Sequence, residues 1–196
     1  MKIGIQIGSF NPYHFGHEFV MSFSLSNYID RGIIVPSYDS FEKEGIISFD
    51  HRLGMLREYK KLNKSIGDLI KISDIEQAGT KYTYDILSHY QSMFPKDEIY
   101  LLVGSDLFKN IENFYKGKNI LEEFGVIVFQ RPQHQCNILD IAHEITPNIK
   151  HLILAVSVVC QSSTDIRNEI KKGSVDCYVP KGISDYIKNN NLYGYI

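Results

Sequence analysis

The sequence predicts an α/β domain built on a doubly wound, mostly parallel sheet. Three observations carry that expectation. Apolar runs alternate with amphipathic stretches along the whole chain, the pattern of successive βαβ units. The runs are nearly continuously apolar, as in strands whose two faces are both covered by helices. The helical stretches also carry start and stop residues where helices need them.

Taken in order, "KIGIQIG" (2–8) reads as a first strand and "GHEFVMSFSLSNY" (16–28) as the helix after it. "GIIVPS" (32–37) is a short buried strand stopped by Pro36, and the polar stretch 37–48 is read as a mobile loop. "FDHRLGMLREYKKL" (49–62) places Leu53, Leu56 and Tyr59 at helical spacing. "DLIKISD" (68–74) is a strand, and "YTYDILSHYQSMF" (82–94) a helix with Thr83 as its cap and Pro95 just beyond it. Strands follow at 98–104, 124–131 and 151–159, then helices at 162–173 and 179–193. No repeat, low-complexity segment or composition shift marks a second domain, so residues 1–196 read as one domain, within the usual ~100–200 residues.

The composition narrows the function classes. A net charge of −2 gives no general basic field for nucleic acid or anionic lipid, so an anion site here is local. Cys136, Cys160 and Cys177 are odd in number and widely spaced, with no CxxC pair, which argues against a disulfide framework or zinc knuckle. No secretory leader is read at the N-terminus, and no apolar run approaches the ~20 residues that span a bilayer. The expectation is a cytoplasmic protein with no membrane partner. A homo-oligomer is left open by the sequence.

The chemistry concentrates in "GSFNPYHFGH" (8–17), between the first strand and the first helix. Ligands of open α/β sheets bind at the carboxyl ends of strands, and a helix start offers unpaired N–H groups and a positive dipole end to phosphate. His14 and His17 stand one helical turn apart and face the same way. Ordinary turn glycines and surface histidines are an alternative reading. A metal held by His14, His17 and Glu18 is another, for which no third ligand recurs at useful spacing. Neither a P-loop nor GxGxxG is present. Late in the chain, "SSTDIR" (162–167) opens a second helix with Ser162, Ser163, Thr164, Asp165 and Arg167. Alone it reads as an N-cap with a solvated arginine. Beside the first turn, it completes a donor set suited to a polyphosphate.

These residues resemble a known family. His14-Phe15-Gly16-His17 is similar to the HxGH signature of the nucleotidylyltransferases, and "SSTDIR" to their second signature. "DHRLGML" (50–56), "GTKYTYDIL" (79–87), "YLLVGSDLF" (100–108), "VFQRP" (128–132) and "YVPKGISDYIKNNNLY" (178–193) resemble the bacterial nicotinate mononucleotide adenylyltransferases. The "GSFNP" start also looks like the eukaryotic nicotinamide mononucleotide enzymes. Phe114 and Gly117 stand where the family has two tryptophans, and Lys43 is the nearest counterpart of a family lysine after the second strand.

The resemblance implies a Rossmann-like nucleotidyltransferase fold and transfer of AMP from ATP to nicotinate mononucleotide, with pyrophosphate leaving. The attacking phosphate is already an anion, so no general base is required. His17 is implied at the α-phosphate, His14 at the phosphates and the turn, and Arg167 on the β- and γ-phosphates. Ser162, Ser163 and Thr164 add donors, and Gly8, Ser9 and Phe10 present backbone. Thr83, Tyr84, Asp106 and Phe114 are implied on the pyridine-nucleotide side, with capping of the next helix an equal alternative for Asp106. Mg²⁺ is expected on the ATP phosphates rather than in a protein metal site. Two alternatives stay open: a nicotinamide acceptor, or another adenylyl- or cytidylyltransferase reaction. A nucleotide-binding regulator without turnover is a different class, against which intact His14, His17 and Arg167 argue.

Overall fold

Six strands make the sheet: β1 (Lys2–Gly8), β2 (Arg31–Pro36), β3 (Ile70–Ile72), β4 (Glu98–Gly104), β5 (Gly125–Gln130) and β6 (His151–Val156). The computed structural model describes residues 1–38, 45–130, 137–156 and 162–195. Lys43, Cys136, Cys160 and the "RP" of "VFQRP" lie outside these residues, as does the expected end of the last strand at 157–159. The strand order is β3-β2-β1-β4-β5-β6, and among the described residues all five pairings are parallel, as the doubly wound reading expects. This is the Rossmann order, whose direction reverses between β1 and β4.

Pleating divides the apolar strand residues between two cores. Along β4, Ile99, Leu101 and Val103 join one core, while Tyr100 and Leu102 join the other. Along β5, Val126 and Val128 part from Ile127 and Phe129 in the same way. One core is covered by α1 (Phe15–Asn27), α2 (Phe49–Leu62), α8 (Ser163–Ile170) and α9 (Lys181–Asn189). The other is covered by α4 (Thr83–Met93), α5 (Ser105–Phe108), α6 (Gly117–Glu123) and α7 (Ile138–Ile145). Burial on both faces is why the strands read as continuous apolar runs.

The differences from the sequence reading lie in short elements. α3 (Lys64–Gly67), α5, α6 and α7 were not anticipated. α3 and α5 have four residues each, too few to display a helical period. The edge strand β3 shrinks to three residues. The expected helix 179–193 stops at Asn189, and the chain finishes in a 3-10 turn, Leu192–Gly194.

α6 starts at a point of unusually close packing. Lys116 before it is left-handed (φ 54), and a Cβ on Gly117 would lie 1.8 Å from the Ile111 carbonyl oxygen. That oxygen is backbone of the 3-10 turn Ile111–Asn113, so a side chain is relieved only by moving main chain. Gly117 also donates its N–H to the Phe114 carbonyl at 2.8 Å. Gly117→Ala is therefore expected to cost about 1–3 kcal/mol by overpacking, a fall of about 3–10 °C in melting temperature. Thermal unfolding measures this, and an unchanged midpoint would contradict the packing.

Candidate active site

At the carboxyl ends of β1 and β4, where the strand order reverses, lies a cleft of about 1240 Å³. β1 ends at Gly8 and gives way to a tight turn. Phe10 adopts a left-handed backbone (φ 46), which an ordinary residue holds only where its surroundings enforce it. Its ring is buried, edge-on to His17 at 5.0 Å and to Tyr13 at 5.4 Å. A Cβ on Gly8 would come within 3.1 Å of that ring, so a glycine at this position leaves room for the Phe10 side chain.

The turn delivers the chain to α1 through a reciprocal histidine cap. His14 is the N-cap residue, and its Nδ1 accepts the Gly16 N–H at 3.1 Å. His17 Nδ1 accepts the His14 N–H at 3.4 Å. A nitrogen that accepts carries no proton, so each neutral ring keeps its proton on Nε2, the nitrogen turned from the backbone. The two rings stack at 3.8 Å, and Tyr13 stacks on the other neighbour, His17, at 5.5 Å. Gln6 on β1 donates Nε2–H to the His17 carbonyl at 3.1 Å. Both imidazoles line the cleft.

Glu18 takes no part with them. Its carboxylate accepts from Asn63 Nδ2 at 3.0 Å and from the Tyr59 hydroxyl. Burial raises its pKa above its ordinary value, with those two bonds opposing. Among the described residues, no three His, Cys, Asp or Glu side chains gather as a metal site.

The second helix start faces the first. Ser162 caps α8: its Oγ accepts the Asp165 N–H at 3.2 Å and donates to Asp165 Oδ2 at 2.7 Å. That hydroxyl, expected to bind ligand, is committed to the cap. Ser163 and Thr164 begin the helix and line the cleft. Arg167 donates Nη1–H to the Asn11 carbonyl at 3.0 Å and Nη2–H to Thr164 Oγ1 at 3.1 Å. The guanidinium thus bridges the two helix starts, with further N–H groups remaining on its fork.

The other wall holds Thr83, Asp106, Leu107 and Phe114. Asp106 sits in the first turn of α5, whose N-cap position is Gly104 with no side-chain cap. Tyr84 is not on that wall. Its hydroxyl donates to Glu123 at 2.9 Å, and its ring meets Phe124 and the Lys116 ammonium. Neighbouring helix positions point about 100° apart, so with Thr83 facing the cleft Tyr84 faces α6.

Three residues missed from sequence support the site. Arg52 on α2 is 1% exposed and donates to the Ser9 carbonyl at 2.8 Å and the Ile47 carbonyl at 3.3 Å. Burial lowers its pKa, with Tyr193 and Glu76 opposing. Asn11 and Tyr193 line the cleft and hydrogen-bond to each other. Each of the three lies inside a segment already singled out, Asn11 in "GSFNPYHFGH", Arg52 in "DHRLGML" and Tyr193 in "YVPKGISDYIKNNNLY", but its part in the site rests on partners far away in sequence.

The chain matches the cytidylyltransferase-like family model over residues 5–169. It is 35% identical to a "Probable nicotinate-nucleotide adenylyltransferase" of Fusobacterium nucleatum subsp. nucleatum, covering 98% of this chain and 100% of that one. It is 29% identical to a protein of the same name from Borrelia hermsii, covering 98% of each. Among solved structures, the Plasmodium falciparum nicotinic acid mononucleotide adenylyltransferase complexed with NaAD has the same fold, with a TM-score of 0.80 at 24% identity over 100% of this chain and 98% of that one. With its reversed strand order, paired helix starts and these full-length relatives, the chain belongs to the cytidylyltransferase-like family of nucleotidyltransferases.

Proposed function

We propose that the cleft binds ATP and nicotinate mononucleotide together and joins them into nicotinate adenine dinucleotide, releasing pyrophosphate. The observation that carries this reading is the convergence of two helix N-termini, two imidazoles and one guanidinium on a single cleft. Its volume of about 1240 Å³ exceeds the ~300–1,000 Å³ typical of one small ligand, which suits two nucleotides. The choice of acceptor is supported by the names of the full-length relatives and by the NaAD complex of the structural neighbour.

The reaction needs positioning and charge stabilisation more than proton transfer. A 5′-phosphate oxygen of the mononucleotide attacks the α-phosphorus of ATP in line. The bond from that phosphorus to the bridging oxygen breaks, and pyrophosphate leaves with the electron pair. The acceptor phosphate is an anion at neutral pH, so the site requires no nucleophile of its own. His17 Nε2–H donates to the α-phosphate oxygens, where charge grows. His14 shares that task and holds the helix start. Arg167 binds the β- and γ-phosphates with its fork, assisted by the N–H groups of Ser163 and Thr164. Gly8, Ser9 and Phe10 bring backbone to the nucleotides. Thr83, Asp106 and Phe114 form the pyridine side, with the Phe114 ring available for stacking.

Magnesium suits this donor set. Among the described residues that line the cleft, Asp106 is the one carboxylate. The ion would therefore be held by the triphosphate and by water rather than by a protein metal site. When bound it offsets phosphate charge. The chain acts as one domain, residues 1–196, in the cytoplasm. Among the described residues, no helix is long and apolar enough to cross a membrane.

His17→Ala is expected to lower kcat by about 10²–10³, the cost of one preorganised donor, while ATP still binds. Pyrophosphate release and ATP titration measure the two. Wild-type turnover in the variant would remove His17 from its role. Nicotinate mononucleotide is expected to exceed nicotinamide mononucleotide in kcat/KM by about ten- to a hundredfold. A pocket presenting N–H donors to the ring substituent would leave the amide NH₂ unpaired, at a cost of about 1–3 kcal/mol. Equal values would transfer the chain to a dual-specificity reading, and a preference for the amide would reverse the assignment.

A further inference from the structure

The last turn of the chain reaches the phosphate end of the cleft. After α9 the backbone passes through Asn191 (φ 49) and Tyr193 (φ 59), two left-handed residues within three positions. Non-glycine residues keep that conformation only where their surroundings over-determine it. Here the anchor is the Tyr193 hydroxyl, which donates to Asn11 Oδ1 at 2.8 Å across 182 positions of sequence. Tyr193 lines the same cleft as His17 and Arg167.

Asn11 is a junction. It is 3% exposed. Its Nδ2 donates to the Gly45 carbonyl at 3.0 Å, and its Oδ1 also accepts the Ile47 N–H at 3.4 Å. A flipped amide would set NH₂ against two donors, so the network fixes its orientation. Its main-chain carbonyl accepts Arg167 Nη1–H. The residue that anchors the chain end therefore also holds the cleft's guanidinium. Burial raises the Tyr193 phenol, with the neighbouring Arg167 and Arg52 opposing, so the hydroxyl is a donor at neutral pH.

We propose that Tyr193 is a positioning residue for phosphate binding: its hydroxyl fixes Asn11, and the Asn11 carbonyl sets the angle of the Arg167 fork. This rests on the adenylyl-transfer reading for its effect on turnover, but not for its effect on polyphosphate affinity. The turn that follows α9 is thereby part of the site's machinery. Tyr193→Phe keeps the ring and deletes only the hydroxyl, and thermal unfolding reads whether the turn keeps its packing.

The test compares wild type, Tyr193→Phe, Arg167→Ala and the double variant, each checked by thermal unfolding. Two quantities are read: kcat and KM for ATP, and binding of inorganic tripolyphosphate by calorimetry. Losing the hydroxyl is expected to weaken tripolyphosphate binding and lower kcat/KM for ATP by about three- to tenfold. In the Arg167→Ala background the same change should alter either quantity by less than about twofold, because the residue it acts through is gone. An equal loss in both backgrounds would reduce Tyr193 to local packing and overturn the proposal. So would wild-type tripolyphosphate affinity in Tyr193→Phe. A wild type that binds tripolyphosphate but releases no pyrophosphate from ATP with any mononucleotide would overturn the adenylyl-transfer reading alone; the binding comparison would still decide the role of Tyr193.

Discussion

The hydrogen bond from the Gly16 N–H to His14 Nδ1, with its partner from the His14 N–H to His17, is the constraint on which the cleft depends. Helix caps are usually Ser, Thr, Asp or Asn, whose oxygen satisfies an orphan N–H and does nothing further. An imidazole cap does two things. Its Nδ1 satisfies the helix, and that bond places the proton on Nε2. Serine at position 14 could cap α1, but it would take away the second donor. The stacked pair, with Tyr13 and Phe10 around His17, is held by aromatic contacts on one side and backbone hydrogen bonds on the other. This is the preorganisation that charge stabilisation requires.

Around that start the fold adds braces that use main-chain carbonyls rather than charges. Arg52 is a buried cation whose guanidinium is met by the carbonyls of Ser9 and Ile47. Such a group is tolerated inside only because its N–H groups are bonded. Gln6 holds the His17 carbonyl, and Asn11 holds Gly45, Ile47 and Arg167. His14, His17 and Arg167, proposed to bind phosphate, thus come from distant parts of the sequence, while their geometry is set by β1, α2 and the turn after α9. The wall that carries Phe114 is braced differently, by the close approach of Gly117 to Ile111 and by backbone hydrogen bonds linking both to Phe114.

How much of this was legible follows from the range of each interaction. The doubly wound sheet was readable because burial on both faces writes itself into the central strands β1, β2, β4 and β5. The placement of His14, His17, Ser163, Thr164 and Arg167 at two helix starts was readable because helix starts are local. The bond from Arg52 to Ser9 spans 43 positions and that from Tyr193 to Asn11 spans 182, so no window along the chain contains both partners. Tyr84 was misplaced because about 100° of helix rotation separates it from the face that Thr83 presents to the cleft. Ser162 was half legible: the cap was foreseen, but the reciprocal bond that occupies its hydroxyl with Asp165 was not.

The most direct test of the account is the tautomer of His14 and His17. Ring-nitrogen NMR on protein labelled with ¹⁵N-histidine, recorded where the imidazoles are neutral and assigned with a His17→Asn variant, reads which nitrogen is protonated. The account predicts the Nε2–H form for both residues in the unliganded protein. An Nδ1–H form at either position would mean that the cap does not exist as described, and that the donors credited to the phosphate site point into the helix instead.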